Sequence, residues 1–228
     1  MKILILGAGQ VGGSLATNLS SDGYEVTVVD EDSDKLADLD DSVDLRTVLG
    51  HASHPLTLRK AGCDKDTVLL SLTNNDEVNL IASKIAKSSF NAKKTICRLS
   101  DSSYITEKKL IDDFVDIPIS PENDITEHLF QLITHPGTNQ IEDFADGKVK
   151  LVSVKAQKNG NLVGHELKVI RQDMPNIDTF VPIIYRKGKP IKAKGSTIIK
   201  ENDEIYFMTA AENIDAVSYT HLRAHETT

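Results

Sequence analysis

Leu4-Ile5-Leu6-Gly7-Ala8-Gly9-Gln10-Val11-Gly12 begins three residues into the chain, and its reading decides the fold. Four consecutive apolar residues, Ile3–Leu6, run straight into a turn of the form G-x-G-x-x-G. A helical pattern follows, with Val11, Leu15 and Leu19 spaced i, i+4, i+8. Gly7 permits a tight turn, Gly9 leaves the backbone open to a close neighbour, and Gly12 allows the helix to pack on the strand. The start of such a helix offers unpaired N–H groups and a partial positive charge, which suits a phosphate.

A glycine turn alone is compatible with many folds. About twenty residues on, "VTVVD" places Asp30 at the end of a second apolar strand. A carboxylate there accepts hydrogen bonds from both hydroxyls of a ribose and repels a 2′-phosphate. The pair predicts a nucleotide site that favours NAD(H) or an adenine nucleotide over NADP(H).

Working outward, short apolar runs recur at Glu25–Val29, Leu45–Leu49, Thr67–Leu72, Thr95–Leu99 and Asp116–Ile119. Helical patterns separate them, including Val78, Ile81, Ala82, Ile85 and Ala86. Pro55 stands at a first helical position and Gly62 at the corresponding stop. Strand, helix, strand repeated five times predicts an α/β fold, a Rossmann-like doubly wound parallel sheet with right-handed crossovers.

Ligands of such sheets sit at the carboxyl ends of the strands. Thr73 and Asn74 after the fourth strand, and Arg98 on the fifth, are therefore candidates for the same crevice. Arg98 suits phosphate or a salt bridge to a nearby carboxylate. Asp76 and Glu77 suit the first turn of the helix that follows. His51 and His54 in "GHASHP" lack a nearby third ligand and read as polar loop residues rather than a metal site. Cys97 reads as core and Cys63 as a turn residue.

An amphipathic segment at Asp124–Thr134 ends at His135-Pro136-Gly137, a strong breaker. Period-two alternation then takes over in Lys148–Ala156 and, less strictly, in Thr179–Tyr185. Ser196–Lys200 and Asp203–Met208 are further strand candidates, with turns at Asn159-Gly160 and Lys187-Gly188. Gly164–Arg171 reads as helical. The expected organisation is a first domain over 1–135 and a small α+β domain over 136–217. The tail 218–228, "SYTHLRAHETT", has no apolar period and is similar to translated adapter sequence, so it reads as a non-native or disordered end.

The 228 residues carry a formal net charge of -8, which disfavours broad contact with nucleic acid or anionic lipid. No apolar run approaches the ~20 residues that span a bilayer, so no direct membrane insertion is expected. Two cysteines make neither a disulfide framework nor a zinc site, and a reducing cytoplasmic setting is expected. No Ser-His-Asp or Cys-His arrangement follows from spacing. A dinucleotide-using oxidoreductase and a nucleotide-sensing module both fit these residues.

Longer stretches point to a family. "VTVVDEDSDKL" (26–36), "LGHASHPLTLRKAG" (49–62), "LTNNDEVNL" (72–80) and "ICRLSDSSY" (96–104) resemble the RCK, or KTN, regulatory domains of potassium transport, in particular their TrkA branch. "VKLVSVKA" (149–156), "LVGHEL" (162–167) and the stretch 174–207 extend the likeness over nearly everything up to Val217. The resemblance implies an RCK N-lobe followed by an RCK C-terminal domain, with no catalysis. It implies a cytoplasmic subunit, peripheral at the inner face of the membrane, that binds NAD(H), and ATP or ADP as further ligands. It also implies control of a Trk-type membrane potassium transporter, pairing through the sheet domain and the 124–134 segment, and a ring of such pairs. Nucleotide contacts carry over to Gly7, Ala8, Gly9, Gln10, Val11, Asp30, Thr73, Asn74 and Arg98. Chains of this branch usually hold two tandem copies of the unit and this one holds one, so the N-terminal half of a longer protein is expected. A regulator of a different potassium channel or exchanger is the alternative within the family.

Overall fold

In the computed structural model the described residues are 1–40, 44–158, 160, 162–169 and 179–215. They divide into two compact units, Met1–Asp124 and Ile125–Thr228.

In the first unit the elements run β1 (Lys2–Leu6), α1 (Gln10–Ser21), β2 (Glu25–Asp30), α2 (Ser33–Asp40), β3 (Arg46–Leu49), α3 (Pro55–Lys60), β4 (Thr67–Ser71), α4 (Asp76–Phe90), β5 (Lys94–Arg98), α5 (Ser102–Thr106), α6 (Lys108–Asp112) and β6 (Ile117–Ile119). The six strands form one parallel sheet in the order β3-β2-β1-β4-β5-β6. β1 pairs with β2 on one side and β4 on the other. The order reverses at β1, so the crevice over its carboxyl end is the place this topology reserves for a ligand.

The apolar runs explain why both faces are covered. Leu4 and Leu6 pack with Val29, Leu58, Leu69 and Ala82, while Ile3 and Ile5 face Ala16, Val28, Leu36 and Leu72. Successive side chains of β1 thus enter two different cores, each worth roughly 1.5–3 kcal/mol per fully buried large aliphatic. Local signals set the ends. Pro55 opens α3, Gly62 follows it at φ +79°, and Asn91 closes α4 in the left-handed region at φ 53°.

The helix expected from Asp124 begins three residues earlier, as α7 (Pro121–Thr134). Proline serves as its first residue and the Ser120 carbonyl accepts from the Asp124 amide. The division between the units falls within this helix.

The second unit is an antiparallel sheet of β7 (Thr138–Phe144), β8 (Val149–Lys155), β9 (Thr179–Arg186), β10 (Lys189–Lys192) and β11 (Glu204–Ala210), in the order β10-β9-β11-β8-β7. Its core gathers Ile141, Val152, Val154, Leu162, Ile184, Ile199, Ile205 and Phe207. Lys187 and Gly188, both at positive φ, form the tight turn between β9 and β10.

Three details depart from the sequence-based expectation. Ser196–Lys200 is not a strand and makes only an isolated bridge from Ile198 to Glu166. Its backbone bonds instead to 164–167, with the Gly164 amide donating to the Ile199 carbonyl and the Ile199 amide to that of His165. β7 and β10 were not anticipated as strands. Both are edge strands, and in β7 only Thr138 and Ile141 are buried, so no alternating stripe betrays it. Of the helix expected at Gly164–Arg171, Leu167–Val169 are helical and 170–171 lie outside the described residues. Asn159 and the tail 218–228 lie outside them too.

Candidate functional site

A cavity of about 780 Å³ opens over the carboxyl ends of β1, β2, β4 and β5. Gly7, Gly9, Gln10, Val11, Asp30, Thr73, Asn74 and Arg98 all line it. Ala8 is not on its wall, yet its amide donates to Asp30 Oδ2 at 2.6 Å.

The glycine turn is built for close approach. Gly7 sits at φ +103°, and a Cβ there would meet the Leu72 carbonyl oxygen at 3.0 Å. At Gly12 a Cβ would lie 1.9 Å from the Gly7 carbonyl oxygen, so α1 can rest on the turn only with glycine there. An added Cβ at Gly9 would meet nothing within 4 Å, leaving the backbone bare on the cavity side. Gly9 is the N-cap of α1, no side chain caps it, and no acid occupies the first turn. The contrast with α4 is direct, since there Asn75 Oδ1 accepts from the Val78 amide at 2.8 Å. The helix end facing the cavity keeps its donors and positive end for an anion.

Asp30 does more than end a strand. While Oδ2 holds Ala8, Oδ1 accepts from the Asp32 amide at 2.9 Å. The carboxylate thereby joins the glycine turn to the loop after β2, and each oxygen keeps a lone pair for a ligand hydroxyl. Glu31 and Asp32 also line the cavity, with Lys35 beside them. Asp32 Oδ1 accepts from the amides of Asp34 and Lys35, and these bonds, led by that of Lys35, hold its carboxyl below the usual range. Such an acidic rim would repel an added 2′-phosphate.

On the other flank, Arg98 Nη2 pairs with Glu122 Oε1 in the first turn of α7. The guanidinium beside it lowers the Glu122 carboxyl. Arg98 Nε is buried and, among the described residues, has no hydrogen-bond partner. Arg98 therefore both lines the cavity and makes the carboxylate pairing that its position allowed. Asp76 is no simple helix cap, because its carboxylate accepts from the amides of Ser100 and Asp101 at 2.9 Å and ties α4 to the loop after β5.

Besides Glu31, Asp32 and Lys35, two further participants are not assigned to the site from the sequence, where His51 reads as a polar loop residue. His51, on the cavity wall, stacks on His54 with centroids 4.6 Å apart, and its Nδ1 accepts from the Ser53 amide at 3.3 Å. Its Nε2 lies 3.9 Å from Glu31 Oε1. Glu122 carried no local signal, since its partner is 24 residues away in sequence. Among the described residues no group of three or more His, Cys, Asp or Glu could hold a metal ion. Cys63 and Cys97 are buried, and burial pushes their thiols up to about 11 and about 12.

Known proteins agree with this architecture. The Trk system potassium uptake protein TrkA of Halomonas elongata is 46% identical over 220 residues, covering 95% of this chain and 48% of its own. The protein of the same name from Vibrio alginolyticus is 44% identical over 221 residues, with the same shares. The chain spans about half the length of these curated relatives. Among solved structures, the GsuK RCK domain superposes with a TM-score of 0.65 at 15% identity, covering 99% of this chain and 48% of that one. The GsuK channel bound to NAD gives a TM-score of 0.65 at 16% identity, with 99% and 40% covered. These likenesses show that the chain has the fold of an RCK domain. The family model described as the TrkA-N domain matches residues 3–121, and the chain belongs to that family.

Proposed function

We propose that the chain is the nucleotide-sensing part of a regulator of potassium uptake, with NAD(H) as the ligand of the cavity and ATP or ADP as competitors for it. The observation that carries the reading is the uncapped, glycine-lined start of α1 facing a cavity with Asp30 on one flank and Arg98 on the other. Gly9, Gln10 and Val11 would bind the pyrophosphate through backbone amides, while Gly7, whose own amide donates to the Val29 carbonyl, would give the turn its shape and Ala8 would be held in it by Asp30. Asp30 would read a ribose, Thr73 and Asn74 a second ribose or base edge, and Arg98 would neutralise phosphate charge. The NAD-bound state of the GsuK channel, which shares this fold, and the likeness to the TrkA potassium uptake proteins support the choice of ligand and system.

In this reading residues 1–135 form the nucleotide-binding N-lobe and 136–217 an RCK C-terminal domain. The protein is not an enzyme. It acts in the cytoplasm, peripherally at the inner face of the membrane, on a Trk-type transporter. No helix among the described residues is long and apolar enough to cross a membrane. Copies pair through α7, on which Ile125, Leu129, Phe130 and Ile133 are exposed, and the pairs build a ring. Nucleotide acts by binding one arrangement of the paired units more tightly than another, which shifts their population.

Calorimetry with NAD⁺, NADH, ATP and ADP tests the reading. Saturable binding of NADH is expected, and binding of none of the four would overturn it. A screen for NADH oxidation with small carbonyl substrates should show no turnover, and turnover would favour an oxidoreductase.

A further inference from the structure

Asn79 is fully buried one turn into α4 and is not itself on the cavity wall. Its amide nevertheless meets two of the residues that form that wall. Oδ1 accepts from the Thr73 amide at 3.0 Å and from Thr73 Oγ1 at 2.7 Å. Nδ2 donates to the Thr73 carbonyl and to the Arg98 carbonyl, each at 3.0 Å. The Thr73 amide can only donate and the two carbonyls can only accept, so one orientation of the side chain satisfies all four contacts. Both donors and both acceptor sites are then in use.

We propose that Asn79 is a positioning residue that assembles one half of the nucleotide cavity, the half that a dinucleotide needs and AMP does not. The inference rests on the nucleotide reading given above. Strand order gives the cavity two flanks about the glycine turn of β1. Asp30, Glu31, Asp32 and His51 stand on the β2 and β3 flank, and Thr73, Asn74 and Arg98 on the β4 and β5 flank. Of the two flanks, Asn79 bonds only to that of β4 and β5. It fixes the backbone of Thr73 on both its N–H and its C=O, and it sets the end of β5 from which Arg98 projects. A ligand with two nucleosides and a pyrophosphate must meet both flanks at once. AMP needs only the Asp30 flank and the start of α1.

Positioning contacts matter because a wall misplaced by about 1 Å loses its aligned hydrogen bonds. No other side chain bonds to Thr73 and Arg98 together among the contacts of the described residues. Serine at position 79 would keep one donor and one acceptor on a shorter arm, and alanine would keep neither.

The test compares NADH and AMP by calorimetry on the parent chain, Asn79→Ala and Asn79→Ser. NADH affinity should fall at least tenfold in Asn79→Ala and less in Asn79→Ser, while AMP affinity changes by less than twofold in both. An equal loss for the two ligands makes Asn79 a purely structural residue and overturns the proposal, as does no loss for either. A parent chain that binds AMP but not NADH overturns it as well. A parent chain that binds neither overturns the nucleotide reading itself, which separates the two failures. Hydrogen exchange on the unaltered chain makes the test independent of how the variants fold. NADH should slow exchange of the Thr73 amide and AMP should not, and equal slowing by both would refute the division of the cavity.

Discussion

Asp30 Oδ2 accepts the Ala8 amide at 2.6 Å, so the carboxylate at the end of β2 is bonded directly to the glycine turn after β1. Oδ1 holds the Asp32 amide as well. Asp30 therefore shapes the glycine turn in addition to lining the cavity. Hydrogen bonds to a charged group contribute about 1.5–3 kcal/mol each. Asp30→Ala should weaken NADH by roughly tenfold or more, at about 1.4 kcal/mol per decade. Discrimination against NADPH should shrink at the same time. Unchanged NADH affinity by calorimetry would remove Asp30 from the site.

Arg98 is shared between the cavity and Glu122. A ligand phosphate and the Glu122 carboxylate would compete for one guanidinium, and α7 carries the loser. Glu122→Gln should therefore tighten ADP and NADH by up to about fivefold, within the ~0–1 kcal/mol that a partly exposed ion pair is worth. Arg98→Ala should weaken both ligands. Weaker binding in Glu122→Gln would show that the pair orients Arg98 for the ligand rather than withholding it.

Asp203 is fully buried in the second unit, where it receives Arg186 Nε at 2.7 Å and Nη2 at 2.6 Å, together with the Lys200 amide at 2.8 Å. Burial alone would raise its carboxyl, but the Arg186 and Lys200 bonds outweigh it and hold the group below the usual range. The native state then binds fewer protons here than the unfolded state, whose Asp titrates near ~3.9. The resulting stability is complete above that value and is lost as pH falls through the lower folded one. Asp203→Ala, which strands Arg186, should cost about 3 kcal/mol, at the low end for a broken buried pair because Arg186 reaches solvent. Urea melts followed by circular dichroism at neutral and acid pH would measure both effects. A parent melt as steep in pH as that of Asp203→Asn would refute the linkage.

α7 exposes Ile125, Leu129, Phe130 and Ile133, with Phe130 at 65% and Ile133 at 77% of their full accessibility. Residues 125, 129 and 133 recur every four positions and form one stripe. Single exposed apolar residues are ordinary, whereas a stripe of this kind is what the pairing proposed above would cover. Phe130→Glu should shift the protein toward monomer in sedimentation velocity with its melting behaviour intact. An unchanged oligomer would move the pairing surface elsewhere.

The sequence by itself determined the parallel sheet, because Leu4 and Leu6 alternate with Ile3 and Ile5 into two cores and the intervening helices carry their own start and stop residues. It also placed the glycine turn and Asp30, since a strand end followed by G-x-G-x-x-G is a local pattern. It did not reveal β7, whose polar edge position leaves no stripe, nor the irregular run at Ser196–Lys200. Tertiary structure alone decided that Asp30 bonds Ala8, that Arg98 meets Glu122 and that Asn79 spans Thr73 and Arg98. The physical reason is strand order. Residues 19 to 24 apart become neighbours only when β2, β1, β4, β5 and β6 lie side by side, and periodicity along a chain carries the faces of its elements but not which ends will meet.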